Sequence, residues 1–147
     1  MAQKSKKSEI AVAALPLFLE NGFKGTSIDM VVKASGVSKA TVYNHYPDKS
    51  ALMLSTMTCW VETHKPMITP VQNQAEFNAV AESRWLSDEA VRMYALVIGE
   101  GWRFIEASTL FWVQFDGLWR KALDYLASGT EGVAHETMEL QLDHRLM

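Results

Sequence analysis

Residues 26–49, TSIDMVVKASGVSKATVYNHYPDK, decide the fold. Thr26 or Ser27 can cap a helix whose first turn carries Asp29, a charge that suits the positive end of the aligned peptide dipoles. Ile28, Val31 and Val32 supply its apolar side. Gly36 ends this helix by offering a left-handed stop, and one residue, Val37, separates it from the next cap, Ser38. The helix that follows, Lys39 to His45, is only about two turns long and is stopped by Pro47-Asp48. Two helices joined by so tight a glycine turn have the helix-turn-helix layout.

That shape suits the major groove of DNA, which is roughly 12 Å wide and admits the end of one helix. The first helix braces across the backbone while the second presents its N-terminal residues. The side chains fit that use: hydroxyls on Ser38 and Thr41, a charge on Lys39, a phenol on Tyr43 and an imidazole on His45. Lys49 opens the next helix, where free N–H groups also favour a phosphate.

Upstream, Ile10, Ala13, Ala14, Leu17 and Phe18 recur at the spacing of one helix face. Ser5 or Ser8 can start this helix and Asn21-Gly22 can stop it. Pro16 sits inside it, where the lost hydrogen bond and ring clash cost about 3 kcal/mol, so a kinked helix is expected. Downstream, Leu52, Met53, Thr56, Cys59 and Trp60 mark one side of a longer helix from Lys49. Cys59, the single cysteine, reads as an inert core thiol there. Pro66 and Pro70 close that helix and place a module boundary in residues 65–74.

Three further helices are expected beyond the boundary. The first spans Ala75 to Leu86, and the second starts at Ser87 with Val91, Tyr94, Ala95 and Ile98 on its face. The third spans Ile105 to Ala127 and carries the stripe Phe111, Phe115, Leu118, Ala122 and Leu126. His135 to Leu146 is a candidate final helix. The expected architecture is all-α: a three-helix DNA-binding domain with its connecting helix in residues 1–64, then a helical effector-binding and association domain in residues 65–147.

Composition agrees with a folded chain, with 48% hydrophobic and 21% charged residues among 147. No apolar run approaches the ~18 residues that a membrane span needs, and no cleavable signal follows Lys4, Lys6 and Lys7, so a cytoplasmic protein is expected. Net charge is -3, but unevenly spread. Residues 1–64 hold seven lysines against five acids, whereas residues 65–147 hold seven bases against twelve acids. A basic module facing a polyanion and an acidic module with another task account for that asymmetry.

The DNA reading sharpens with a family resemblance. Ile10-x-x-Ala13-Ala14-x-x-Leu17-Phe18-x-Glu20-x-Gly22-Phe23, then Thr26-Ser27, Gly36 to Tyr46, Lys49 and Leu52 resemble the tetracycline-repressor family. Val97 to Phe104, with Glu100 and Arg103, is more loosely similar to the start of that family's effector domain. The resemblance implies that Thr26 and Ser27 bind phosphate at the second helix's N-terminus, and that Lys49 holds another. It places Lys39, Ala40, Thr41 and Asn44 at base edges, Tyr43 and His45 at backbone or bases, and Val42 and Tyr46 inside. It further implies a homodimer on a near-palindromic operator, a repressor released when a small apolar ligand enters the C-terminal domain. The alternative is a regulator impaired in dimerisation, an interaction protein that pairs with a full-length relative.

Two expectations concern the C-terminal aromatics. Trp85, Trp102, Phe104, Phe111, Trp112 and Phe115 are candidates for a ligand pocket, because such a group exceeds what three thin helices bury. Phe111, Phe115, Leu118, Trp119, Ala122 and Leu126 are candidates for a dimer interface. No enzyme is expected: there is no glycine-rich phosphate loop, no Gly-x-Ser-x-Gly elbow and no supported Cys/His pair. His135-x-x-x-Glu139 has metal-ligand spacing without a third ligand, so neither metal nor cofactor is expected.

Overall fold

A computed structural model describes residues 5–66 and 73–128. The described residues are helical throughout their regular structure: α1 (Lys6–Asn21), α2 (Ile28–Ser35), α3 (Lys39–His45), α4 (Lys49–His64), α5 (Gln74–Arg84) and α6 (Asp88–Glu100). A 3-10 turn (Gly101–Arg103) leads to α7 (Ile105–Leu110), a π-helical segment (Phe111–Asp116) and α8 (Gly117–Ser128). The candidate helix His135 to Leu146, and with it His135 and Glu139, lies outside the described residues.

Local chemistry sets the helix starts. Ser5, Ser27, Ser38, Asp48, Asn73 and Ser87 each accept a hydrogen bond from the backbone N–H three residues on. Each such cap stabilises its helix by about 1 kcal/mol. Gly36 stops α2 with φ 69°, a left-handed conformation that suits glycine because it has no Cβ. Pro16 lies on the exposed side of α1, and α1 continues through it as a single helix.

One apolar core runs from Ile10, Ala14 and Phe18 of α1 through Val31, Val42 and Leu52 to Phe111, Phe115, Trp119 and Leu123. In α4 the inward residues are Leu52, Met53, Thr56, Met57, Trp60 and Val61. Cys59 is exposed, which corrects its reading as a core thiol. It neighbours Trp60 in sequence and so points about 100° away around the helix.

The inner face of α6 also differs from expectation. Ala90, Met93, Tyr94 and Val97 are buried, while Val91, Ala95 and Ile98 are exposed. Two apolar lines one residue apart both have helical spacing here, and only Tyr94 belongs to both. Packing against α1 and, at Tyr94, against Phe111 and Phe115 of the π-helical segment selects the other one.

The last helices show a third shift. Gly117 donates its N–H to the Trp112 carbonyl five residues back, the signature of a π turn. That wider turn moves the inward line to Phe111, Phe115, Trp119 and Leu123. The expected stripe through Leu118, Ala122 and Leu126 therefore ends up half-buried at the core margin.

A chain of polar pairs runs through this core. Trp85 Nε1 donates to the Tyr94 hydroxyl at 2.9 Å, which donates to Asp116 Oδ1 at 2.6 Å. Arg120 Nε holds the other carboxylate oxygen at 3.0 Å. Burial, and then Asp116, push the Tyr94 phenol far above its ordinary range. Trp85 and Trp119 stack at 5.5 Å, and Trp119 Nε1 donates to the His64 carbonyl at 2.8 Å. An aromatic pair of this kind contributes about 0.5–1.5 kcal/mol beyond its buried area.

Candidate nucleic-acid interface

The site is built from the turn after α1 and the two helices that follow it. Gly22 leaves α1 with φ 79°, and the chain then buries Phe23 against Phe18 and Phe104, with ring centroids 5.9 and 5.0 Å apart. Thr26 follows, only 1% exposed. Its hydroxyl faces the carbonyls of Gly22 at 2.7 Å and Leu17 at 3.0 Å, so it closes the turn internally. Ser27 is exposed and caps α2 by accepting the Met30 N–H at 3.1 Å.

Val37 plugs the tight turn from beneath, and Ser38 begins α3. The Ser38 hydroxyl accepts the Thr41 N–H at 3.2 Å and donates to the Thr41 hydroxyl at 2.8 Å, which ties the two exposed-side hydroxyls together. Val42 and Tyr46 anchor α3 from within. The Tyr46 hydroxyl donates to the Lys7 carbonyl at 2.9 Å and shares a hydrogen bond with Ser55 at 2.8 Å. Burial raises the pKa of that phenol. The opposite side of α3 is open: Lys39, Ala40, Tyr43, Asn44 and His45 are exposed, and Thr41 is half-buried.

A hollow of about 380 Å³ lies between α3 and the turn, with Lys24, Ser27, Asp29, Lys39, Tyr43 and Lys49 around it. Three lysines converge there on the N-terminus of α2, an arrangement that attracts an anion. Two of the three already have partners. Lys39 Nζ pairs with Asp29 at 3.0 Å, and this hydrogen-bonded contact raises its pKa. Lys49 Nζ donates to the Phe23 carbonyl at 2.7 Å and lies 4.5 Å from the centre of the Phe23 ring. Its partial burial lowers its pKa, against the opposing pull of Glu100.

The expected contact residues thus divide into groups. Ser27, Lys39, Tyr43 and Lys49 meet around one hollow, with Thr26 at its floor. Ala40, Thr41, Asn44 and His45 lie along α3, and Ser38 stands at its start. Sequence reasoning did not single out Lys24, although a lysine two residues before the Thr26-Ser27 pair is a visible signal. The grip of Asp29 on Lys39 was also missed, because it needs α2 and α3 to be placed together.

The aromatic candidates of the other module sit differently. Trp85, Phe104, Phe111 and Phe115 are core residues, as is Trp119. Trp102 is 66% and Trp112 39% exposed. A second hollow, of about 390 Å³, lies between α1 and α6 beside Leu15, Pro16, Glu20, Asp88 and Arg92. None of the six aromatic pocket candidates lines it.

No helix among the described residues is long and apolar enough to cross a membrane. Comparison with known proteins bears on the helix-turn-helix. The biofilm operon icaADBC negative transcriptional regulator IcaR of Staphylococcus aureus is 26% identical over 95 residues, 60% of this chain and 51% of that protein. The HTH-type transcriptional regulator YuxN of Bacillus subtilis, itself uncharacterized, is 27% identical over 84 residues, 57% of this chain and 29% of that protein. The chain thus aligns with about half of IcaR and less of YuxN. A crystal structure from Mesorhizobium loti, assigned to the tetR family, superposes with a TM-score of 0.70 at 19% identity. It covers 84% of this chain and 66% of that one, a likeness of fold. Residues 10–56 match the family described as bacterial regulatory proteins, tetR family. That match places the likeness to the tetR family in residues 10–56, the segment that carries the helix-turn-helix.

Proposed function

We propose that residues 1–64 bind operator DNA, with α3 in the major groove and the turn before α2 on a phosphate. The observation that carries this is the two-sidedness of α3: Val42 and Tyr46 anchor it in the core while Lys39, Ala40, Tyr43 and Asn44 face outward from one rigid surface. A recognition helix needs that combination, since base contacts discriminate only when the backbone holding them is fixed. Ser27, Lys24 and Lys49 are the phosphate group, with Thr26 acting through the shape of the turn. Lys39, Ala40, Thr41 and Asn44 are the base-reading group, flanked by Ser38, Tyr43 and His45.

Repression is the mode assigned here, on the strength of the likeness to the negative regulator IcaR. Residues 65–147 are assigned to association as a homodimer and to sensing a small apolar ligand. Phe111, Phe115 and Trp119 lie within the protomer core, so a dimer surface on α8 is left with Leu118, Ala122 and Leu126 at its margin. Four of the six pocket candidates are packed likewise, so a ligand entering among them has to displace core contacts.

The test is selection of duplexes from a random-sequence pool by the full chain, followed by sequencing and sedimentation of the complex. A two-fold symmetric consensus, with half-sites about one helical turn apart and two chains bound, is the expected result. Recovery of no common sequence would sink the operator reading.

A further inference from the structure

We propose that Glu100, at the C-terminal end of α6, is a positioning residue for DNA binding: its carboxylate holds the turn that presents Lys24 and Ser27. This inference rests on the DNA-binding reading above. Glu100 Oε2 accepts the Phe23 N–H at 2.8 Å, and Oε1 accepts the Lys24 N–H at 2.9 Å. One carboxylate thus holds two successive backbone donors from across 76 and 77 residues of sequence. From the other side Lys49 Nζ takes the Phe23 carbonyl at 2.7 Å. Phe23 is gripped at its N–H by an acid from α6 and at its C=O by a base from α4.

The surroundings are shaped for this grip. A Cβ on Gly22 would lie 2.5 Å from Glu100 Oε2, so the glycine leaves the carboxylate its place. Arg103 Nε stands 3.6 Å from Oε1 and adds a charge contact to the same carboxylate. Within the turn, the Thr26 N–H bonds the Phe23 carbonyl at a long 3.3 Å. Glu100 therefore supplies the strongest polar hold on the two N–H groups that precede Ser27, because hydrogen bonds to a charged acceptor exceed neutral ones.

The sign of the effect separates positioning from simple charge. A carboxylate near Lys24 and Lys49 repels DNA phosphate, so neutralising it should tighten binding if charge alone mattered. If Glu100 positions the turn, neutralising it weakens binding. Glu100→Gln keeps the shape, but its amide oxygen accepts one N–H and its NH₂ confronts the other.

The experiment uses the full chain and a duplex that the wild type selects from a random-sequence pool. Glu100→Gln is expected to lower affinity roughly tenfold, within the range of coupling between distant groups. Glu106→Gln, an exposed acid on α7, leaves affinity unchanged. Amide hydrogen exchange at Phe23 and Lys24 quickens in Glu100→Gln without DNA, a readout that a general loss of stability would not confine to this turn. Gly22→Ala breaks the grip from the other side, and its effect combines with Glu100→Gln less than additively. Equal or tighter binding by Glu100→Gln, or unchanged exchange at both amides, overturns the proposal. Failure of the wild type to bind any duplex sinks the DNA-binding reading instead, and unchanged exchange would then still refute the grip.

Discussion

Helices α3 and α6 both carry apolar residues at helical spacing, yet only α3 has the inner side its sequence announces. In α3, seven residues long, Val42 is the buried residue, Tyr46 follows as its cap, and the remaining surface is polar or small. There is one way to bury it. Helix α6 is apolar around most of its circumference, with Ala90, Met93 and Val97 inside and Val91, Ala95 and Ile98 outside. Its register is then a tertiary choice, and the unchosen line stays exposed, with Ile98 at 60% and Trp102 beyond it at 66%. Periodicity identifies a face when apolar residues are few and loses that power when they are many.

The largest test of this contrast lies in the core. Phe115→Ala should destabilise the chain by about 3–5 kcal/mol in denaturant unfolding, as for a buried aromatic. Ile98→Ala, on the exposed line of α6, should change stability by no more than about 0.5 kcal/mol. Comparable losses from the two would mean that α6 packs by the line read from its sequence.

Tyr94, the one residue common to both lines of α6, should show an effect next in size. Tyr94→Phe removes the hydroxyl between Trp85 and Asp116 and should cost about 1–3 kcal/mol. It should also alter the alkaline limit. An unfolded tyrosine ionises near about pH 10, whereas folded Tyr94 keeps its proton to higher pH because burial opposes the phenolate. Its contribution is thus complete below about pH 10 and is lost as pH rises further. Unfolding followed between neutral and strongly alkaline pH should be less steep for Tyr94→Phe, and an identical profile would exclude this tyrosine as a cause.

On the α3 side, Asn44→Ala should relax discrimination at particular base pairs by about 1–3 kcal/mol while sparing stability. Competition among operator variants measures it, and a uniform loss would move Asn44 to the backbone-contacting group. The smallest effect belongs to Lys24→Ala, which should weaken all duplexes alike and lower the salt slope by about one unit. Lys49→Ala, by contrast, should also lower stability, because its ammonium already serves the Phe23 carbonyl.

Much of the site was legible for the reason that α3 was. Ser27, Gly36 and Ser38 act through their own backbone within a few residues, so their positions announce two helices and a turn without reference to the rest of the chain. Val42 and Tyr46, which the family resemblance placed inside, are buried. Thr26 shows where such reading stops. A threonine before a helix suggests a cap, but its hydroxyl turns to the carbonyls of Leu17 and Gly22 once α1 is beside it.

By itself, then, the sequence determined the helical class seen in the described residues, the caps Ser38 and Ser87, the helix-turn-helix and the outward residues of α3. These depend on hydrogen bonds and periodicities spanning a few residues, whose energies are nearly the same in any context. Tertiary structure alone decided which line of α6 is inside, where the π turn shifts the core to Trp119 and Leu123, and that Cys59 is exposed. It alone brought Glu100 to the N–H groups of Phe23 and Lys24. Each of these depends on surfaces supplied by distant segments, and a choice between nearly equal local alternatives falls to whichever neighbour offers the better packing or the matching charge.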